Sequence, residues 1–114
     1  MKHLLTMARR VNTHKSVLQV LQSAKPNLRK AILQSSDKSV IYAICEICDN
    51  LLLGNIPLTT EQRNKLREYR HILRQLAQRG EGWRIKRRRL VQHGGSFLPL
   101  LLSAVAAVLP SLFK

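Results

Sequence analysis

The chain has 114 residues, of which 20 are Lys or Arg and 6 are Asp or Glu, so that its formal net charge is +14. This length provides material for one small domain with a single modest core, and the excess of positive charge opposes compaction unless a polyanion neutralises it. Nucleic acid or an anionic membrane is therefore the expected partner, and because aromatic residues make up only 4% of the chain, contact with phosphates is favoured over stacking of single-stranded bases.

The N-terminal segment, residues 1–12, is basic, and its apolar run is too short for a signal peptide. We therefore expect a protein that is not secreted. Residues 1–36 contain no acidic residue, which is typical of a mitochondrial transit peptide, but the periodic pattern that follows favours continuous folded structure.

Two short helices are predicted next. Val17, Leu18 and Leu21 share one face of a helix that begins near Thr13 and ends before Pro26. Pro26 suits the first turn of the second helix, because its missing N–H is not needed there. The inward-facing residues of this second helix are predicted to be Leu28, Ile32 and Leu33.

A third helix is predicted from a cap at Ser36 or Asp37 to about Leu53, where Gly54 and Asn55 stop it. Apolar residues recur along it at steps of three and four, which indicates one buried face. This stripe includes both cysteines of the chain and consists of Ile41, Ile44, Cys45, Cys48 and Leu52.

The two cysteines, in the motif CEIC, allow three interpretations: half of a zinc site, a redox pair or core packing. Their place on the apolar stripe favours core packing, since free cysteine is often buried. No βαβ pattern of the thioredoxin kind surrounds them, and the histidines that a zinc site would need show no paired spacing. These histidines are His3, His14, His71 and His93. We therefore expect no metal and no cofactor, and two reduced thiols favour a reducing compartment.

A long fourth helix is predicted from a capping box at Thr59 and Gln62 to about residue 79. Its apolar seam consists of Leu66, Tyr69, Leu73 and Leu76. Four arginines fall within about 60° of one another on its surface, and few acids lie in i,i+4 positions to neutralise them. They are Arg63, Arg67, Arg70 and Arg74. An external anion is therefore favoured over a solvated face, and this is the first candidate phosphate-binding surface.

A basic arm follows the sequence GEG at residues 80–82, which predicts a helix break and a hinge. Residues 83–92, WRIKRRRLVQ, are predicted to be helical and to form the second candidate phosphate-binding surface. The cations of this arm are Arg84, Lys86, Arg87, Arg88 and Arg89. The run KRRR also has the composition of a nuclear-localisation patch.

Gly94 and Gly95 join the basic arm to an apolar tail over residues 97–113. Two glycines before Ser96 allow two interpretations: a flexible site for a protease cleft, or a plain stop for the basic helix. The tail is at or below the lower limit for a membrane span, so that it can instead lie in a membrane interface or dock on a capsid protein. Its candidate docking residues are Phe97, Leu98, Leu100, Leu101 and Leu102.

No catalytic set emerges from the sequence. The acidic residues are scattered, no Ser/His/Asp or Cys/His arrangement has support, and no glycine-rich phosphate loop follows a strand. We therefore do not expect an enzyme.

The joint and its flanks resemble a known family, the adenovirus core protein X (mu) precursor and its small basic counterparts in adintoviruses and Maverick/Polinton elements. The resemblance lies in the arginines of residues 87–89 and the following GGSFLPLLLSAVAAVLPSL, and it does not extend to the rest of the chain. It implies that a viral cysteine protease cuts between Gly95 and Ser96 and releases a DNA-condensing basic peptide. Gln92 departs from the family, in which an aliphatic residue is usual at that place.

We therefore predict an all-α protein, with a small helical bundle over residues 13–79, a hinge and basic arm over 80–93, and a Gly-Gly joint and apolar C-terminal helix over 94–114. Its predicted function is sequence-independent binding and condensation of double-stranded DNA, through the phosphate backbone, in a virus-like core. Its predicted locations are the virion core and the host nucleus. The alternatives are a membrane-active protein whose tail inserts among anionic lipids and an adaptor whose tail docks on a capsid protein.

Overall fold

The protein is all-helical over the residues that its computed structural model describes, which are 2–109, with the side chains of 4–93 and 95–109. The last five residues of the predicted tail, 110–114, lie outside this range. The helices are α1 (Lys2–Thr13), α2 (Lys15–Ser23), α3 (Pro26–Ser35), α4 (Lys38–Leu52), α5 (Thr60–Arg67), α6 (Arg70–Ala77) and α7 (Trp83–Val105). None of these described residues lies in a β-strand.

Two helix starts follow from local capping chemistry, as the sequence predicts. The carboxylate of Asp37 accepts a hydrogen bond of 3.2 Å from the backbone N–H of Val40 at the start of α4. At the start of α5, the Thr59 hydroxyl accepts from the Gln62 N–H at 3.1 Å, and the Gln62 side chain accepts from the Thr59 N–H at 3.0 Å. This reciprocal pair confirms the predicted capping box.

The prediction of one long fourth helix is wrong, because the helix is interrupted. α5 ends at Arg67 and α6 begins at Arg70, with a turn between them. The turn places the ring of Tyr69 at 5.7 Å from the ring of Phe97 on α7, centroid to centroid. The predicted seam is nevertheless buried on both sides of the break, with Leu66 and Leu73 at 4% and 2% exposure.

The N-terminal segment is part of the packed structure and not a separate basic extension. The helix α1 buries Met7 and Val11 completely and packs mainly against α4. Its Arg10 forms an ion pair with Glu46 of α4, with 2.6 Å between Nε and Oε1.

α7 joins the predicted arm and the predicted tail in one helix. It begins at Trp83 after the turn at Gly80, whose φ of 99° is a conformation that favours glycine, and it continues through both joint glycines and Pro99 to Val105. The helix break predicted at residues 80–82 is therefore confirmed. The prediction of a separate C-terminal helix is wrong, because no break occurs between residues 83 and 105.

The core lies between α4 and the C-terminal half of α7. α4 packs against α1, α6 and α7, while α7 also packs against α2 and α3. The prediction of core packing for the cysteines is confirmed, since Cys45 and Cys48 are both buried on α4. Burial raises the pKa of the Cys45 thiol to about 11 and that of Cys48 well above its ordinary value. Leu52 of the predicted stripe is an exception, because it is 41% exposed.

α3 is rotated relative to the prediction in its first turn. Leu28, predicted to face inward, is 53% exposed, whereas its neighbour Arg29 is only 5% exposed. The rotation places the guanidinium group of Arg29 against backbone carbonyls of other segments. Among the described residues, no helix is both long enough and apolar enough to cross a membrane.

Candidate nucleic-acid interface

The cations of the basic arm divide between two sides of α7. At about 100° per residue, Arg84, Arg87 and Arg88 share one side, whereas Lys86 lies on the side that continues toward Leu90 and Phe97. Lys86 is 6% exposed and Phe97 is completely buried. Only the first of the two sides is therefore placed to meet an external polyanion.

Lys86 has a structural role that differs from the predicted contact with phosphates. Its Nζ donates hydrogen bonds to the backbone carbonyls of Leu76, at 2.9 Å, and Gln78, at 2.7 Å. These carbonyls lie at the C-terminal end of α6, where helical N–H donors run out and a cation is favourable. Lys86 thus caps α6, and its charge is not available to DNA in this arrangement.

Arg89 is also engaged within the protein. Its Nε donates to Oε1 of Glu81 at 3.1 Å, and its second nitrogen donates to Oε2, so that the pair is bidentate. The hydrogen bond from Arg89 lowers the pKa of Glu81, and the same bond raises the pKa of Arg89. Of the cations predicted for the basic arm, those that remain available to an external phosphate are Arg84, Arg87 and Arg88.

These three arginines line a cleft between α3 and α7, which we call the α3–α7 cleft. Its volume is about 430 Å³. It is lined by Lys30, Gln34, Arg84, Arg87, Arg88, Val91 and Gln92. No acidic residue is among the described residues that line it, and its amides can donate further hydrogen bonds to phosphate oxygens.

Contacts within the protein hold two of the cleft arginines in place. The guanidinium carbons of Arg84 and Arg87 each lie 4.9 Å from the ring centroid of Trp83, within the range of a cation–π interaction. Arg87 also donates to the Ser36 carbonyl at 3.3 Å. Side chains that are already positioned lose less conformational entropy when they bind a phosphate.

Lys30 and Gln34 also line this cleft, although they are not among the site residues predicted from the sequence. Both lie on the polar face of α3, which is a local signal that they are near the surface. Their place beside Arg84 and Arg87 depends on the packing of α3 against α7, more than fifty residues along the chain, and no periodicity encodes it.

The arginines of the first candidate surface lie on α5 and α6, and all four are exposed: Arg63, Arg67, Arg70 and Arg74. The first three line a second, smaller cleft of about 160 Å³, and Arg74 does not line it. Leucines form the floor of that cleft: Leu51, Leu52, Leu58, Leu66 and Leu73. Three of the four predicted arginines therefore still line one cleft, although the helix is broken at residues 68–69.

The Gly-Gly joint lies inside α7, and a side chain of another helix forms a hydrogen bond with its backbone. Pro99 has no N–H, so the carbonyl of Gly95, four residues earlier, lacks its helical donor. Arg29 of α3 supplies one, with 2.7 Å between its Nη1 and the Gly95 oxygen. The same guanidinium donates to the carbonyls of Leu21 and Ala24 at the end of α2. One buried arginine thus satisfies carbonyls of two helices.

This geometry bears on both interpretations of the glycines. The interpretation as a plain helix stop is wrong, since α7 continues for ten residues beyond Gly95. The predicted processing site, Gly94, Gly95 and Ser96, is helical, whereas a protease cleft requires an extended segment. Cleavage at this place therefore requires α7 to unwind locally, and the cut itself stays a prediction.

The predicted docking residues of the tail form the core. Phe97, Leu98, Leu101 and Leu102 are completely buried, and Leu100 is half-buried. The physical reason is that α2, α3 and α4 all pack against α7 and cover its apolar face. In this arrangement the side chains are not available to a membrane or a capsid protein.

The described residues contain no group of three or more His, Cys, Asp or Glu that could hold a metal ion. Comparison of the chain with models of protein families, with curated proteins and with solved structures finds no match. The proposal that follows therefore rests on the charges and clefts described above and, for the virus-like setting, on the resemblance of the Gly-Gly joint and its flanks.

Proposed function

We propose that the protein binds double-stranded DNA without sequence preference and condenses it in a virus-like core. The observation that carries this proposal is the α3–α7 cleft, in which Lys30, Arg84, Arg87 and Arg88 face one depression with no acidic lining residue among those described. Four cations so close together repel one another, and phosphates would relieve that repulsion.

The binding mode would be contact with the phosphate backbone. Arginine pairs with phosphate oxygens through two parallel hydrogen bonds, and such contacts fix the position of a duplex without reading its bases. Gln34 and Gln92, which also line the cleft, would add neutral donors to neighbouring oxygens. The net charge of +14 adds long-range attraction that falls with salt.

Condensation requires that one molecule contact two segments of DNA. The α3–α7 cleft and the arginines of α5 and α6 share no residue, so that they can act as separate surfaces. A compact helical bundle with two cationic surfaces would bridge neighbouring duplexes. A protein of this kind would act in the virion core and in the host nucleus.

The test compares two variants with the same loss of charge. K30Q/R84Q/R88Q removes three cations from the cleft, while R9Q/K25Q/K38Q removes three exposed cations elsewhere. Binding to a random-sequence duplex is measured by fluorescence anisotropy across a range of salt. Each lost phosphate contact should make the plot of log K against log salt shallower by about 0.9, so the cleft variant should lose about 2.7 and the control much less.

The result that would overturn the proposal is equally specific. Equal slopes for the two variants would show that the cleft is not the contact surface. Absence of binding by the unmodified protein at low salt, or a preference of more than about a hundredfold for one oligonucleotide at physiological salt, would refute sequence-independent packaging. Circular dichroism of both variants checks that the helices remain.

A further inference from the structure

The cleft between α4, α5 and α6 has a floor that phosphate binding does not explain. We call it the leucine pocket, and it consists of Leu51, Leu52, Leu58, Leu66 and Leu73 with Arg63, Arg67 and Arg70 around them. Leu52 is 41% exposed and Leu58 is partly exposed, so that apolar surface is open to solvent between the arginines. A phosphate backbone offers no apolar group to cover such a surface.

The size of the leucine pocket fits one large apolar side chain. Its volume is about 160 Å³. A cavity of about 150 Å³ lined by similar side chains takes up a molecule of benzene. One Phe or Leu side chain from a partner would therefore fill it, and the gain would come from removal of apolar surface on both sides from water.

The rim of the leucine pocket fits negative charge. Arg63, Arg67 and Arg70 are exposed, and within the described part of the chain none of their guanidinium groups forms an ion pair or donates a hydrogen bond. The nearby Glu61 is engaged by Lys65 at 2.9 Å, and no acidic residue lines the pocket among those described. Carboxylates pair with arginine in bidentate geometry, which suits an acidic peptide.

A second copy of this chain does not have the matching chemistry. Two copies would each carry a net charge of +14, and the six acidic residues are scattered along the sequence. The apolar side chain and the carboxylates must therefore come from a different, acidic protein.

We propose that the leucine pocket binds a short acidic segment of a partner protein, in which one Phe or Leu side chain enters between the leucines and flanking carboxylates pair with Arg63, Arg67 and Arg70. This corresponds to the recognition of an amphipathic segment in a groove by one central anchor and a charged rim. The site goes beyond the proposed binding of DNA, because it selects for an apolar group as well as for charge. An acidic segment bound there would also neutralise one of the two cationic surfaces.

The experiment uses two fluorescent peptides of equal charge on the full chain. The first is Asp-Asp-Glu-Phe-Glu-Asp-Asp, and the second has Ser in place of Phe. Anisotropy titration should show that the Phe peptide binds at least about tenfold more tightly, since the ring buries in the pocket and Ser does not. Equal affinities would overturn the proposal, because they would reduce the site to general attraction of charge.

Variants separate the apolar floor from the rim. Leu52→Ser should remove most of the preference for the Phe peptide, whereas Leu5→Ser, at a position 63% exposed on α1, should leave it unchanged. R67Q should lower the affinity for both peptides to a similar degree. A preference that survives Leu52→Ser, or that Leu5→Ser abolishes, would place the binding elsewhere.

Failure of the peptide site can be distinguished from failure of the proposed function, although both use the arginines of α5. K30Q/R84Q/R88Q should lose DNA contacts and retain the peptide preference, whereas Leu52→Ser should retain DNA binding. The peptide site would be overturned if duplex DNA displaced the Phe peptide and if Leu52→Ser bound that peptide with unchanged affinity. The three arginines would then be assigned to phosphates.

Discussion

The two halves of α7 differ in their surroundings although they belong to one helix, because the first half has an exposed cationic side and the second is mostly buried. Before the glycines, Arg84, Arg87 and Arg88 face an open cleft, and after them Phe97 and Leu101 are completely buried. The sequence predicts two separate segments here because its composition changes abruptly. The comparison shows that a change of composition marks a change of environment, while the continuity of a helix depends on whether its backbone carbonyls find donors.

The strongest test of this difference is truncation of a side chain in the buried half. Phe97→Ala should lower the free energy of unfolding by about 3 to 5 kcal/mol, through lost burial and the cavity that remains. Denaturant unfolding followed by circular dichroism measures the change. Arg88→Ala in the exposed half is the control and should change stability little, since its side chain is on the surface. Similar losses for both would contradict the contrast between the halves.

Removal of the Arg29 guanidinium group, which binds the Gly95 carbonyl, should have the next largest effect on the free energy of unfolding. Arg29→Met keeps an unbranched apolar stem but leaves the carbonyls of Leu21, Ala24 and Gly95 without that donor. We expect a loss of about 2 to 3 kcal/mol in unfolding free energy.

A double-mutant cycle isolates the contact at the joint itself. Pro99→Ala returns a helical N–H to the Gly95 carbonyl, so Arg29→Met should cost less in that background than in the unmodified chain. Additive losses would show that Arg29 and Pro99 do not act on the same carbonyl.

Lys86 tests whether a cation in the exposed half can belong to the interior. Lys86→Met removes the two hydrogen bonds to the end of α6 and should cost about 1 to 3 kcal/mol. The salt dependence of DNA binding by the Lys86→Met variant should match that of the unmodified protein. A shallower salt dependence with unchanged stability would return Lys86 to the phosphate-binding set.

The smallest expected effect is a gain. Gly95 lies within a helix, and a Cβ there would meet no atom within 4 Å apart from its chain neighbours and the backbone of its own helix. Gly95→Ala should therefore raise the unfolding free energy by about 0.5 to 1 kcal/mol, because alanine loses less backbone entropy in a helix. A clear loss of stability would indicate that α7 is not helical at the joint.

Much of the fold could be predicted because its signals are local. The cap at Asp37, the capping box at Thr59 and the buried face with Cys45 and Cys48 all depend on residues three or four positions apart. The break before Arg70 had no such signal, since Glu68 and Tyr69 are compatible with a helix.

The candidate site was predictable only in part for the same reason. The basic arm identifies Arg84, Arg87 and Arg88, but the roles of Lys86 and Arg29 depend on carbonyls of distant segments. Sequence periodicity predicts which face of its own helix a residue occupies, but it does not predict which other segment packs against that face.

The burial of the segment after the glycines changes what a cut at the joint would produce. Two fragments held together by a common core remain associated after their peptide bond is broken, as in complementation between halves of a split protein. Phe97, Leu98, Leu101 and Leu102 would keep the C-terminal fragment in place, so that cleavage after Gly95 would give a nicked complex and not a free peptide. The two fragments would then separate only under conditions that unfold this common core, such as denaturant.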